Sequence, residues 1–236
     1  MMQVSAIMTG HREGLLSGPS ITSFREAIDY ARDHGISVEP IVVLDRPDAL
    51  TRTMFSNADS WGAEVVSTDY GDPGVARNHG VSLASGEYVT FLDADDLWSF
   101  NWIAAAYRFC MEEGRPVIGH SQLNIIFGRE RLFWLHVDSE DPDFDQDYLQ
   151  IGNYWDALSF APRRIFADYP FHKNELASGY GHEDWHWNCV TLSKGFPHKP
   201  VPDTVHMKRR RHGSQSARAN SNDVVPWPTD LVRFTR

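Results

Sequence analysis

The run Tyr88-Val89-Thr90-Phe91-Leu92 is β-branched or aromatic at almost every position, and it stops at Asp93-Ala94-Asp95-Asp96. The first part reads as a buried strand. The second places three carboxylates within four positions, and carboxylates this close repel one another unless a cation sits among them. Together they demand a sheet that buries the strand and ends it at an open edge where charge is tolerated. An open, oxygen-only donor set suits Mg2+ or Mn2+, ions that keep coordination positions free for further oxygen ligands. An isolated Asp-X-Asp is more commonly a solvated turn after a strand, but the residues around this one shift the balance.

Gly74 to Glu87 reads as an amphipathic helix closed by Gly86, whose missing Cβ lets the chain turn into the strand. Met2 to Met8 alternates and breaks at Thr9-Gly10, as a first strand of an α/β sheet does at its active edge. Thr22 or Ser23 is placed to cap a helix from Phe24 to Asp33, with Phe24, Ala27, Ile28 and Ala31 on its core face. Val38 to Asp45 is a nearly continuous apolar run ending in an acid, the pattern of a central parallel strand whose carboxyl edge meets a ligand. A helix to Ala63, a short strand at 64–67, a helix from Phe100 to Glu113 and later strands at 116–119, 123–127 and 131–137 complete a mixed, mostly parallel sheet flanked by helices. Residues 138–147 hold six acids and read as a solvated, mobile loop, with a second metal site as the less favoured alternative.

With 236 residues, 42% of them hydrophobic, one core suffices and a single domain is the default. A net charge of −10 argues against a general nucleic-acid or anionic-membrane binder, so any phosphate must be handled locally. Cys110 and Cys189 read as buried free thiols of a reducing cytosol, and no stretch has the length and apolarity of a membrane span or an export signal. A cytoplasmic protein is expected.

The run from Ala76-Arg77-Asn78 through Leu92-Asp93-Ala94-Asp95-Asp96 closely resembles the signature of the family 2 glycosyltransferases of the GT-A fold. The resemblance covers most of residues 1–216, with a nucleotide-binding half at roughly 1–98, an acceptor-side half at roughly 99–216 and a tail at 217–236. It implies a strand-end metal, Mn2+ or Mg2+, held by Asp93 and Asp95, that binds the diphosphate of a nucleotide-sugar donor, most simply a UDP-sugar. Arg77, early in the helix, is then placed to offset the diphosphate; a surface ion pair is the alternative. Thr9 and Asp45 become candidates for donor contact, although Thr9-Gly10-His11-Arg12-Glu13 and Asp45-Arg46-Pro47-Asp48 both depart from the family's usual loops.

Further along, Glu183-Asp184 opens a helix, where the dipole favours carboxylates. Capping explains one acid. The resemblance explains the pair, because inverting members carry Glu-Asp here with one carboxylate as general base. Asp184 is the expected base, with Glu183 the alternative and more simply a positioning residue. Trp185 and Trp187 adjoin this point, and one of them is suited to stack on an acceptor sugar while the other packs in the core. In Val205-His206-Met207-Lys208-Arg209-Arg210-Arg211-His212-Gly213-Ser214, four consecutive cations normally mean a solvated tail or a nucleic-acid patch; the resemblance implies instead a third metal ligand, His206, and a donor-closing loop in which one of Arg209 to Arg211, taken as Arg211, acts with Ser214.

The function implied is transfer of a sugar to a carbohydrate or other hydroxyl acceptor with inversion, in polysaccharide or glycoconjugate synthesis. Two other classes stand beside it. An Asp-X-Asp phosphohydrolase usually opens its domain with that motif and follows it with a hydroxyl residue, whereas Asp93 lies well inside the chain and is followed by Asp96-Leu97. A calcium-dependent carbohydrate-binding module needs a third alternating acid and a glycine, which Asp93-Ala94-Asp95-Asp96-Leu97 lacks.

Overall fold

The computed structural model describes residues 2–211 and 224–232. Its strands are β1 (Val4–Gly10), β2 (Val38–Asp45), β3 (Glu64–Thr68), β4 (Tyr88–Asp93), β5 (Leu97–Trp98), β6 (Ile118–Gly128), β7 (Leu132–Leu135), β8 (Phe160–Pro162) and β9 (His198–Arg210). The helices are α1 (Ser17–Asp33), α2 (Ala49–Met54), α3 (Pro73–Leu83), α4 (Trp102–Glu112), α5 (Arg163–Asp168) and α6 (Glu183–Ser193). All the strands join one mixed sheet in the order β3-β2-β1-β4-β8-β6-β9-β5, with β7 paired to β6.

β1 to β4 run parallel, which brings the ends of β1, β2 and β4 to one edge. The register sets Thr9 beside Asp93 on one side and beside Val43 on the other. β1 and β2 are covered on both faces, so every residue of β1 is buried, Ser5 and Thr9 included, and the alternation in its sequence marks no exposed face; β3, at the sheet edge, is largely exposed. β8 is antiparallel to both β4 and β6, and β6 returns to a long parallel pairing with β9. That pairing brings the basic run of β9 to the edge that carries the acids of β4.

Three local expectations change. α1 begins at Ser17, well before Thr22 and Ser23, because serines are tolerated inside the helix: Ser23 Oγ donates back to the Ser20 carbonyl at 3.1 Å. The two strands expected at 116–119 and 123–127 are one, β6, with a register shift against β9 between Ser121 and Leu123 that a bulge absorbs. α3 ends at Leu83, before Gly86. A Cβ at Gly86 would lie 2.5 Å from the Ser5 backbone nitrogen, so glycine is required there by close approach to β1.

The acidic stretch at 138–147 is solvent-facing, and Asp138, Asp141 and Asp145 each accept a hydrogen bond from the backbone N–H two residues on. Cys110 and Cys189 are both buried and free. Among the described residues no helix is long and apolar enough to cross a membrane.

Candidate active site

The ends of β1, β2 and β4, the start of α6 and the end of β9 enclose a cavity of about 500 Å3. Its wall includes Thr9, Asp45, Arg77, Asp93, Asp95, Glu183, Asp184, Trp185 and Arg211. The sheet thus brings together most of the residues singled out in the sequence, from five separate segments.

Each acid of the β4 end meets a cation. Asp93 receives both Arg77 Nη2, at 2.8 and 3.0 Å, and Thr9 Oγ1, at 2.8 Å. Burial pushes its carboxyl up, but the charges of Arg77 and Lys208 and these hydrogen bonds carry it below the ordinary carboxylate value. Asp95 pairs with Arg211 Nε at 2.7 Å, yet burial and the nearby charges of Asp93 and Glu13 leave its carboxyl raised. Asp96 turns inward. It accepts from the Arg209 backbone N–H at 2.7 Å and lies 3.7 Å from Lys208 Nζ, and burial, opposed by Lys208, pushes its carboxyl up to about 8.

The second acidic pair splits in the same manner. His182, with φ of 58°, turns the chain into α6 in the left-handed region that a non-glycine residue avoids. Glu183 then points inward: Oε1 accepts from Arg77 Nη1 at 2.9 Å and Oε2 from Asn174 Nδ2 at 3.0 Å. Burial and the adjoining Asp184 raise its carboxyl against the pull of Arg77. Asp184 faces the cavity, and only its Oδ1 has a described partner, the backbone N–H of Trp185 at 2.8 Å. Arg77 is thus a single buried fork joining the β4 acids to the α6 acids.

The two tryptophans separate cleanly. Trp185 lines the cavity, its Nε1 donating to the Leu149 carbonyl at 3.0 Å. Trp187 is 1% exposed and stacks on Phe166 and Phe171, so it is core. His206 is fully buried on β9 with its ring against Trp102, and it is not part of the wall that Asp93 and Asp95 share. Alternation puts 206 and 208 on the same face of β9, but the longer Lys208 side chain reaches Asp96 and Asp156 at the cavity wall while the His206 ring stops short against Trp102. Asp45 lines the cavity but is already engaged, accepting from Thr68 Oγ1 and from the backbone N–H groups of Tyr70 and Asp72. Ser214 lies outside the described residues.

Several residues of the site carried no sequence signal. Glu13 is buried and bridges to Arg211 at 2.9 Å. Asn174 ties Glu183 to Asp72, the N-cap of α3. Residues 224–232 return to brace the loop before α6: Val225 exchanges backbone hydrogen bonds with Gly179 and Gly181, Trp227 stacks on Tyr180, and the Trp227 carbonyl lies 3.0 Å from His186 Nδ1.

The sequence profile of "Glycosyl transferase family 2" matches residues 18–169, which hold β2, α3, β4 and the three acids. The chain belongs to glycosyl transferase family 2. No curated protein sequence matches it. Among solved structures it is similar to S. aureus TarS, with 16% identity, a TM-score of 0.65, and coverage of 89% of this chain and 37% of that one. It is also similar to residues 1–349 of TarS in complex with UDP-GlcNAc, at 17% identity, a TM-score of 0.62, and coverage of 90% and 60%. The mannosyltransferase PcManGT from Pyrobaculum calidifontis, in complex with GDP-Man and Mn2+, aligns at 19% identity, a TM-score of 0.60, and coverage of 89% and 58%. These likenesses show that this family 2 chain has the GT-A fold. It spans 37% to 61% of the length of the TarS chains and 58% of the PcManGT chain.

Proposed function

We propose that this chain is a divalent-metal-dependent glycosyltransferase that moves a sugar from a nucleoside diphosphate sugar to an acceptor hydroxyl with inversion, in the synthesis of a polysaccharide or glycoconjugate. One observation carries the reading. Arg77 holds Asp93 and Glu183 in a fixed, buried arrangement, while Asp184, beside them, keeps a carboxylate oxygen open to the same cavity. A single displacement needs those parts: a place for the diphosphate and a base positioned for the attacking hydroxyl.

A divalent metal fits the β4 end. The donors are hard carboxylate oxygens, and Asp95 stays raised despite Arg211, which leaves negative charge that a further cation would offset. Asp93 and Asp95 would hold it, and Mn2+ or Mg2+ there would act as a Lewis acid toward the departing diphosphate. His206 is not on the cavity wall that Asp93 and Asp95 share, so this reading rests the metal on the two acids. The chain's own groups do the rest. The acceptor oxygen attacks the anomeric carbon, the bond from that carbon to the phosphate oxygen breaks, and the hydroxyl proton passes to Asp184. Glu183, tied at both oxygens, positions Arg77 and the start of α6. Trp185 offers an indole edge to the acceptor side. Arg211 and Thr9 sit at the donor side, and the engaged Asp45 shapes the nucleoside-side loop rather than presenting a spare carboxylate.

The TarS complexes hold UDP-GlcNAc and UDP, whereas PcManGT holds GDP-Man. The first two support a UDP-sugar as the donor in this reading, and a donor panel scored by nucleotide release tests it. The base assignment has its own test. Asp184→Asn should lower kcat by about 10²–10⁴-fold with donor KM nearly unchanged, while Glu183→Gln loses less and does so partly in acceptor KM. Near-parental kcat in Asp184→Asn removes Asp184 from that role.

A further inference from the structure

At the cavity wall that Asp156 helps to line, β6, β7 and the 153–157 segment enclose a second group of ligating side chains that the proposed transfer does not use. His120 on β6, His136 just after β7, and Asp156 are all buried, and one ring nitrogen of each histidine and a carboxylate oxygen lie within 4.8 Å of one another. Buried imidazoles are held neutral by desolvation, so each has one N–H and one lone pair, and the surrounding hydrogen bonds fix which nitrogen carries which.

The assignment follows from the far end of the chain of bonds. Thr191 Oγ1 spends its proton on the carbonyls of Trp187 and Asn188, so it accepts from His198 Nε2 at 2.9 Å. His198 Nδ1 must then accept, and the partner at 2.9 Å is His120 Nε2, which donates. The lone pair of His120 is left at Nδ1, a fully buried atom with no partner among the described residues. His136 Nδ1 faces the Ser121 carbonyl at 2.6 Å and must donate, which leaves its lone pair at Nε2. Each ring thus gives its N–H to a fixed acceptor and keeps its other nitrogen as a donor of electrons. This is the outer-shell pattern of metal-binding histidines.

Asn124 supplies a fourth group. Its Nδ2 donates to Asp156 Oδ2 at 2.8 Å and lies 3.2 Å from His136 Nε2, and its Oδ1 accepts from Ser121 Oγ at 3.0 Å. Turning that amide by half a rotation puts Nδ2 on Ser121 Oγ, which can accept because its proton also reaches the Leu123 carbonyl at 3.2 Å. Oδ1 then faces Asp156 and His136; Lys208 Nζ, 3.4 Å from Asp156 Oδ2, already offsets part of the negative charge, and an ion among the three would take Oδ1 as a ligand and share Asp156 with the ammonium.

We infer that His120, His136, Asp156 and Asn124 form a second metal site, distinct from the acids of β4, that takes a borderline-soft divalent ion such as Zn2+. Two imidazole nitrogens and two oxygens make a four-ligand set that suits Zn2+ or Co2+, whereas Mn2+ and Mg2+ prefer the all-oxygen site of β4. Its place between β6, β7 and the segment carrying Asp156 makes it a brace for the cavity's acceptor-side wall.

The test uses the full chain, stripped of metal and reloaded with Zn2+ or Co2+, alongside Asp95→Ala to remove the β4 site. The expected result is one equivalent of Zn2+ by elemental analysis and, with Co2+, the intense visible bands of a four-coordinate ion, both kept in Asp95→Ala. His120→Asn and His136→Gln should lose the bound ion, and His198→Phe, which frees the tautomer of His120, should weaken Zn2+ about 10–100-fold. Retention of the ion in both ligand variants overturns the site, as does its loss in Asp95→Ala alone. Should a histidine variant fail to fold, the parent and Asp95→Ala decide: absence of Co2+ bands and of any Zn2+ stoichiometry in them overturns the inference.

Discussion

Arg77→Leu isolates the contact on which the site is built. The substitution keeps an apolar stem and removes a guanidinium that is 3% exposed and bonds Asp93 and Glu183 at 2.8 and 2.9 Å. Breaking a buried pair by removing one partner typically costs ~3–5 kcal/mol, because the other charge stays buried without compensation. Asp93 is still 29% open to the cavity, so water relieves part of its cost and the lower end, about 3 kcal/mol, is the expectation. For a chain of this size that corresponds to a Tm lower by roughly 6–12 °C.

The pH dependence follows from the signs. In the parent, Asp93 is held below its ordinary value of 3.8, so its contribution is present above that pH and lost as pH falls through the folded value. Without Arg77 burial is less opposed and the folded value rises above 3.8; the contribution is then present below that pH and lost on going up. Glu183, already raised above 4.5 by burial and Asp184, moves further the same way. The parent-to-variant gap should therefore be widest near neutral pH and close toward about pH 4. Urea unfolding at both pH values reads it. A gap under about 1 kcal/mol at neutral pH, or one that does not change with pH, refutes the role of Arg77 as the counter-charge.

Asp95→Ala should abolish the Mn2+-dependent thermal shift by UDP while the metal-free Tm holds or rises, since a raised carboxyl in a repelling cluster is removed; an unchanged shift with UDP and Mn2+ excludes Asp95 as a ligand. Lys208→Met strands the Asp156 carboxylate, Asp96 being already raised to about 8 and largely neutral near pH 7, and should cost ~3–5 kcal/mol in urea unfolding, a loss that would be absent if Lys208 were a solvated phosphate contact. Arg211→Ala, which removes a pair that is 33% exposed, should cost at most about 1 kcal/mol in stability yet weaken nucleotide binding more at low salt than at high salt; titration calorimetry at two ionic strengths checks it, and an equal loss at both points to folding damage.

The helix–strand–acid unit was legible because local pattern and fold agree there: an apolar strand can bury itself only if its acids lie past the sheet edge. The carboxyl edge of β2 and the helical Glu183-Asp184 pair were legible for the same reason. Side-chain direction was not. Whether an acid or a cation of β9 turns inward depends on register against β6, and a shift at Ser121 to Leu123 moves it. So Lys208, one of four consecutive cations in the sequence, lies between Asp96 and Asp156, and His206 lies in the core. Long-range partners such as Glu13 with Arg211, or Asn174 with Glu183, leave no mark in a single sequence, because each residue is unremarkable alone. Trp185 and Trp187 show the limit most simply: two residues apart on a helix they face different ways, and only the packing of Phe166 and Phe171 decides which is core.

The acids of β4 are matched one to one with cations from other segments, Arg77 from α3, Lys208 from β9 and Arg211 just beyond it, and this lets a cluster of carboxylates fold without a bound ion. The three pairs are not equally placed to yield. All three cations hold a second acid, but Arg77 is 3% exposed and Lys208 13%, so neither can leave its partners without crossing a closed setting. Arg211 is 33% exposed and its partners lie on the cavity wall. An incoming cation at Asp95 competes with Arg211 first, and the guanidinium it displaces is set free beside the place where a diphosphate would lie. On the proposed reading, metal and donor therefore favour each other's binding through one side chain: the metal takes over Asp95, and Arg211, released, becomes available to phosphate oxygen in the bidentate geometry that suits it.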